Sequence, residues 1–115
     1  MSSDLKQRTK AFALRIIKLY SALPPSTVAQ TIGRQVLRSG TSIGAHYREA
    51  SRSRSNAEYI SKIELALQEL EETIYWLELL IDSEIFTQQK LDSLLEESSQ
   101  LIAIFVTLSK TAKRK

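Results

Sequence analysis

The sequence has 115 residues, a net charge of +3, no cysteine, three glycines and two prolines. This length fits one domain with its own core, since folding buries roughly 60–70% of the surface of an unfolded chain of this size. The missing cysteines exclude disulfides and thiolate metal sites. No stretch approaches the roughly 20 apolar residues of a membrane span, and the charged N-terminus lacks a signal-peptide pattern. We therefore expect one cytoplasmic domain over residues 1–115.

The charges are segregated along the chain. Residues 1–54 contain ten Lys and Arg against two Asp and Glu, a net charge of +8. Residues 55–109 contain two against eleven, a net charge of −9, and residues 110–115 add four cations. This pattern favours either a basic face for a polyanion or complementary faces for self-assembly.

The first two predicted helices have apolar residues at alternating spacings of three and four. The first helix covers about residues 3–22, and the adjacent prolines that follow it end it, because proline disfavours helix in the preceding residue. Its stripe is Leu5, Phe12, Ile16, Leu19 and Leu23. The second helix covers about residues 27–53 and begins with a capping box, Thr27-x-x-Gln30. Its stripe is Ile32, Val36, Ser39, Ile43, His46 and Ala50.

The last two predicted helices have the same spacing without interruption. The third covers about residues 56–82, after a capping box formed by Ser55 and Glu58. Its stripe is Ile60, Ile63, Leu67, Leu70, Ile74, Leu77 and Ile81. The fourth covers about residues 88–112, with Thr87 as its N-cap. Its stripe is Leu91, Leu94, Ser98, Leu101, Phe105, Leu108 and Ala112.

Four such helices with short connections predict an all-α fold, an antiparallel up-down four-helix bundle. An average period of 3.5 residues keeps one apolar seam facing a neighbouring helix and favours crossing angles near 20°. Short connections place consecutive helices side by side in opposite directions.

The second helix has a row of arginines opposite its apolar stripe. At 100° per residue, Arg34, Arg38, Arg48 and Arg52 fall within about an 80° arc, and Arg54 follows with a basic C-terminal tail at residues 110–115. Such a row can bind successive phosphates through forked donors. It can equally be a solvated face that pairs with acidic residues of the third helix or of another subunit. Few aromatic residues lie on the arc, which argues against base stacking there.

Two further groups of residues predict close helix contacts. Gly40 and Gly44 permit close backbone approach by another helix, inside the bundle or across a subunit boundary, which offsets their cost of about 1 kcal/mol each in a helix. Tyr75, Trp76 and Leu79 lie off the stripe of the third helix and form a surplus apolar patch. We take these five residues as the candidate oligomer interface, although single exposed apolar residues are common.

The sequence offers no chemistry of a known catalytic or metal site. His46 is the only histidine and forms a His-x-x-Glu pair with Glu49. A di-metal bundle needs several carboxylates and usually two such histidines in its core. A glycine-rich phosphate loop and a serine–base pair are both missing. We therefore expect no catalytic residues, no metal and no cofactor, with His46 as a packing or interface residue.

Three segments carry a family resemblance over about residues 10–110. They read SGTSIGAHYREA at 39–50, SRSNAEYISK at 53–62 and EETIYWLELL at 71–80. They resemble bacterial four-helix proteins encoded in intervening sequences of 23S rRNA genes, which are related to the accessory variability determinants of diversity-generating retroelements. The resemblance implies a ring, commonly a homopentamer, and a basic surface for nucleic acid or a nucleic-acid enzyme. The motif residues expected to be structural are Ser42, His46, Tyr47, Glu49, Glu58 and Tyr59.

The family motif commonly has asparagine where this chain has His46, which would replace an amide hydrogen bond by a contact that can respond to pH. From all of these features we predict a non-enzymatic oligomeric module. It would contact structured RNA, DNA or a nucleoprotein through Arg34, Arg38, Arg48, Arg52 and Arg54. The alternative is a protein–protein scaffold with no affinity for nucleic acid.

Overall fold

Four helices account for most of the chain in the computed structural model, which describes residues 2–115 and the side chains from Asp4 onward. The helices are α1 (Ser2–Ser21), α2 (Thr27–Ser51), α3 (Asn56–Asp82) and α4 (Gln88–Lys113). Their ends lie within two residues of the predicted ends, which confirms the all-α assignment. None of these helices is long and apolar enough to cross a bilayer.

Two of the three predicted helix starts have the expected cap. The Ser55 hydroxyl accepts a hydrogen bond from the Glu58 backbone N–H at 3.0 Å. The Thr87 hydroxyl accepts one from the Lys90 N–H at 3.2 Å. Each bond satisfies one of the backbone donors that have no partner within the first turn of a helix.

The capping box predicted at Thr27 was wrong by one residue. Ser26 is the N-cap of α2, and its hydroxyl accepts from the Ala29 N–H. Gln30 does not reach back to the cap, because its amide donates instead to the Pro24 carbonyl at 3.0 Å. The side chain of Gln30 thus fixes the proline turn between α1 and α2.

Each helix packs antiparallel to the one before it. Three contacts establish the directions, because each joins a residue near one end of a helix to a residue near the opposite end of the next. They are Thr9 with Gly44, Lys62 with Glu49 and Asn56 with Ala112. The result is a four-helix bundle with principal extents of 47 × 21 × 20 Å.

The core follows the predicted stripes of α1 and α4 closely and that of α2 less closely, because Ile32 and His46 are only partly buried. Its largest fully buried side chains come from all four helices: Phe12, Ile16, Val36, Ile43, Ile63, Leu70, Leu77, Leu80, Leu91, Leu101 and Phe105. The rings of Tyr47 and Phe105 meet edge to face with centroids 5.8 Å apart. This aromatic contact joins α2 to α4 across the bundle.

The predicted stripe of α3 needed a correction. Ala66, Thr73 and Leu80 are buried, whereas Leu67 and Ile74, which we placed in the core, are only partly buried. The reason is that α3 packs against two neighbours, so its most buried line points between α2 and α4. The small side chains of Ala66 and Thr73 lie on the α2 side and let that helix approach. Leu67 and Ile74 lie on the flank of α3 that faces α4.

Glycines of α2 determine how closely α1 packs. A Cβ atom on Gly40 would lie 2.7 Å from Ile16 Cγ1, and one on Gly44 would lie 3.0 Å from Thr9 Oγ1. Both glycines are buried within the protomer. The close approach that they permit is therefore made by α1, and they do not form part of an exposed oligomer surface as we had predicted.

The α1–α4 seam is the loosest in the bundle, because these two helices approach each other much less closely than the consecutive pairs do. Polar side chains bridge its middle. The Arg8 guanidinium binds the Glu97 carboxylate through two bonds of 3.0 and 2.7 Å and also donates to Gln100. Arg15 donates to the Ser93 hydroxyl at 2.7 Å. Hollows remain at both ends of the seam.

Candidate functional site

The five predicted anion-binding arginines do not have the same surroundings. Arg38 is paired inside the protomer, because its guanidinium binds the Glu69 carboxylate at 3.1 Å and also the Glu72 carboxylate. Both acidic residues belong to α3. For Arg38 the structure thus favours the alternative interpretation, a solvated face that pairs with the third helix.

The other arginines of α2 are exposed and have no ion pair within the described part of the chain. We call Arg34, Arg48 and Arg52 the arginine face; they lie on the outer side of α2, away from its buried stripe. Each keeps its forked donors available to an external anion. A guanidinium that is not held by a carboxylate loses no internal bond when it binds a phosphate.

A second group of cations surrounds the end of the bundle where the α2–α3 turn meets the C-terminus of α4, and its members form no ion pair with residues 4–115. We call it the basic end, and it consists of Arg52, Arg54, Lys110, Arg114 and Lys115, all exposed. Lys113 differs, since its ammonium lies 2.6 Å from the Glu64 carboxylate. This contact lowers the pKa of Glu64, with a smaller contribution from Ser109.

His46 lies at the α2–α3 seam between two carboxylates. Its Nε2 is 3.5 Å from Glu69, and its Nδ1 is 3.5 Å from Glu49. At 3.5 Å the buried Nδ1 lies near the Glu49 carboxylate but forms no hydrogen bond. The pKa of Glu49 is lowered mainly by Lys62 and less by His46. Among residues 2–115, no group of three acidic, histidine or cysteine side chains is placed to hold a metal ion.

The predicted aromatic patch lies on α3. Tyr75 is 54% exposed, and its ring meets the Trp76 ring edge to face with centroids 5.1 Å apart. Trp76 is partly buried and packs against the core, and Leu79 is also partly buried. The Trp76 Nε1 donor is buried and has no hydrogen-bond partner within the described residues.

The sequence analysis missed a cleft at the basic end. A cavity of about 650 Å³ lies between α1 and α4, where Leu5, Tyr47 and Tyr59 form part of its lining. A second hollow of about 490 Å³ adjoins it and shares Tyr59 and Leu108 with it. The signal in the sequence was weak: two tyrosines, in positions assigned to the motif, flank the turn between α2 and α3.

Comparison with known protein families identifies the chain. The family model described as the 23S rRNA-intervening sequence protein matches residues 1–107. The chain belongs to this family. Two of the segments that carry the family resemblance have clear structural positions. Segment 39–50 contributes buried residues of α2, and segment 53–62 contains Ser55, the N-cap of α3. In the structure Ser42 donates to the Arg38 carbonyl, and Tyr47 is buried, so both have structural positions.

A solved structure agrees with this membership. It is the crystal structure of a protein of unknown function from the S23 ribosomal protein family of Bacteroides thetaiotaomicron VPI-5482. The two proteins are 39% identical, the match covers 96% of this chain and 99% of the other, and the TM-score is 0.89. A comparison with curated proteins found no match.

Proposed function

We propose that this protein is a non-enzymatic oligomeric binding module that contacts structured RNA through the arginine face and the basic end. The observation that carries the proposal is the contrast between Arg38, which two carboxylates hold, and Arg34, Arg48 and Arg52, which keep their donors free. The family's description names an intervening sequence of 23S rRNA, which makes structured RNA the first ligand to test. A cytoplasmic location is part of the same proposal.

The spacing of these cations suits a phosphate backbone. Arg48, in the last turn of α2, and Arg52, its C-cap, are four residues apart, which corresponds to about 6 Å along the helix axis. Successive phosphates of one strand are about 3.4 Å apart along the axis of a DNA duplex, so the two arginines span about two phosphates. Binding of this kind is driven by release of counterions and does not read the base sequence.

Removal of two arginines should weaken RNA binding and change its salt dependence. We expect the double variant Arg48→Ala/Arg52→Ala to lose roughly 10–30-fold in affinity near physiological salt and to reduce the slope of log K against log salt by about 2. Fluorescence anisotropy of a labelled RNA hairpin over a salt series measures both quantities. The loss should be similar for hairpins of unrelated sequence.

A charge-matched variant provides the control. Lys18 and Lys90 lie near the opposite end of the bundle, so Lys18→Ala/Lys90→Ala changes the net charge equally and should leave the affinity within about threefold. Arg38→Ala should also have a small effect. An equal loss in the two double variants would mean that net charge alone attracts RNA, and an unchanged affinity for Arg48→Ala/Arg52→Ala would reject the arginine face.

A second candidate function, a protein scaffold built as a ring, is favoured by the aromatic patch. Tyr75 exposes more than half of its surface, beside the ring of Trp76. A second subunit that covers this patch would bury its exposed apolar surface. The resemblance implies a homopentamer, which a head-to-tail contact of this patch with another face could close.

A charge placed in this patch should break the oligomer. Tyr75→Glu is a cleaner variant than a change at Trp76, because Trp76 also packs against the core. We expect Tyr75→Glu to shift the mass measured by light scattering from oligomer toward protomer, with an unchanged helical circular dichroism spectrum. Leu14→Glu is the matched control, since Leu14 is 57% exposed on α1. If Tyr75→Glu remained an oligomer and Leu14→Glu became a protomer, the interface would lie on α1 and not on the aromatic patch.

A further inference from the structure

The cavity between α1 and α4 has a mixed lining, in which apolar and aromatic side chains lie beside Asp4, Gln7 and Arg8. Leu5 and Tyr47, which are 5% and 4% exposed, lie at its base, and Ile104 and Leu108 of α4 form the opposite wall. The cavity exists because α1 and α4 stay apart and because Ala11, a small residue, lines it on the α1 side. Its volume of about 650 Å³ falls in the range of small-molecule sites, roughly 300–1,000 Å³.

The adjoining hollow has a different chemistry. Its lining includes three serines of the α2–α3 turn region, Asn56, Thr111 and Lys115. Lys115 lines it directly, and the turn that carries Arg52 and Arg54 borders it. The hydroxyls of Ser55 and Thr111 and the second N–H of the Asn56 amide can donate hydrogen bonds to an oxyanion, and the surrounding cations favour a negative charge.

The two hollows are continuous, because Tyr59 and Leu108 line both of them. Burial raises the pKa of the Tyr59 phenol above its ordinary value of 10, so the hydroxyl is a neutral donor at neutral pH. On one side of Tyr59 lies the cavity that Tyr47 also lines, and on the other lies a polar hollow lined by one cation, Lys115, with Arg52 and Arg54 in the adjacent turn. A ligand that spans both needs a planar apolar part and an anionic part.

We propose that this cleft binds one unstacked nucleotide, with its base in the cavity lined by Tyr47 and Tyr59 and its phosphate in the hollow lined by Asn56, Thr111 and Lys115. The proposal rests on the proposed function, and it adds a preference for RNA that has an unpaired nucleotide. Asp4 lines the cavity and can accept hydrogen bonds from the amino group of a base. Arg8 also lines the cavity, and the Glu97 carboxylate of α4 holds its guanidinium.

A cavity-filling variant tests the cleft without changing any charge. Ala11→Phe places a ring in the cavity, and Ala103→Phe, on the exposed outer surface of α4, is the matched control. The probes are one RNA hairpin with a single-nucleotide bulge and the same hairpin fully paired. The native chain should bind the bulged hairpin about tenfold more tightly than the paired one, since stacking of a base on an aromatic side chain contributes about that much or more.

The Ala11→Phe variant should lose this tenfold preference and keep the affinity and salt slope for the paired hairpin, whereas Ala103→Phe should keep both. Tyr59→Leu provides a second variant with the same expected loss if Ala11→Phe does not fold. Equal binding of the two hairpins by the native chain, with a normal salt slope, would overturn the nucleotide site and leave the proposed function intact.

A titration with adenosine monophosphate separates the remaining outcomes. Chemical-shift changes at Tyr59 and Ile104 that Ala11→Phe abolishes would support the site even for a chain that binds neither hairpin, in which case only the proposed RNA function would fail. Changes produced equally by inorganic phosphate, and confined to Asn56, Thr111 and Lys115, would overturn the proposal, because the aromatic cavity would then take no part in binding.

Discussion

Truncation of Phe105 to alanine should lower the free energy of unfolding by about 3–5 kcal/mol, the largest effect that we expect from one substitution. Phe105 is completely buried, and its ring meets Tyr47 edge to face across the bundle. The variant loses the buried surface of the ring, leaves a cavity between α2 and α4 and removes an aromatic pair. Urea denaturation followed by circular dichroism at 222 nm, at fixed chain concentration, measures the change.

Phe86 is the matched control for this prediction. It is only partly buried, in the turn before α4. Phe86→Ala should therefore lower the free energy of unfolding by about 1–2 kcal/mol, which is less than the smallest loss expected for Phe105→Ala. Phe105→Leu, which keeps most of the volume, should cost less than about 1.5 kcal/mol. A loss below about 1 kcal/mol for Phe105→Ala would mean that the centre of the bundle repacks freely.

The sequence predicted the fold well because one signal repeats through all four helices. Apolar spacings of three and four mark the buried line of each helix, and scarce glycine and proline residues leave few places for the helices to end. Caps were predictable where Ser55 and Thr87 directly precede the pattern. At α2 both Ser26 and Thr27 are good caps by residue type, and only the structure shows that Ser26 is the cap and that Gln30 bonds to the Pro24 carbonyl in the preceding turn.

The centre line of α3 was harder to predict for a physical reason. Periodicity ranks residues by hydrophobicity, so it favoured Ile74 over Thr73. In the structure the Thr73 hydroxyl lies 2.8 Å from the Ser39 hydroxyl and also donates to the Glu69 carbonyl, which allows a polar side chain to be fully buried. Only the neighbouring helix reveals that a small polar residue can occupy a core position.

The candidate site was predictable in part. A helical wheel placed the arginines of α2 on one side, but it could not show that Glu69 and Glu72 of α3 would hold Arg38, because that depends on the register between two helices. The cleft escaped prediction for a similar reason. Tyr47 and Tyr59 lie on different helices, and the space beside them depends on how far α1 stays from α4.

Replacement of Gly40 by leucine should destabilise the protein by about 3 kcal/mol or more, the second large effect that we expect. A Cβ atom there would lie 2.7 Å from Ile16 Cγ1 and 3.0 Å from Ile16 Cγ2. Ile16 is fully buried, and its β-branched side chain has one strongly preferred rotamer in a helix. Neither the new side chain at position 40 nor Ile16 can rotate away from the contact, so α1 must move away from α2. The cost of this movement exceeds the gain of about 1 kcal/mol in helix propensity.

Gly33 provides the control for this argument, because its short contact is of another kind. A Cβ atom on Gly33 would meet Leu23 Cδ1, the flexible end of a partly buried side chain near the end of α1, and would lie 3.1 Å from the Tyr20 ring. Gly33→Ala should therefore change the free energy of unfolding by less than about 1 kcal/mol, because the gain in helix propensity offsets the small shift that the Tyr20 ring must make. In the Gly40→Leu background, Ile16→Ala should cost less than it does in the native chain, because it removes the two atoms in conflict. Additive costs of the two changes in urea denaturation would show that α1 does not depend on the space at Gly40.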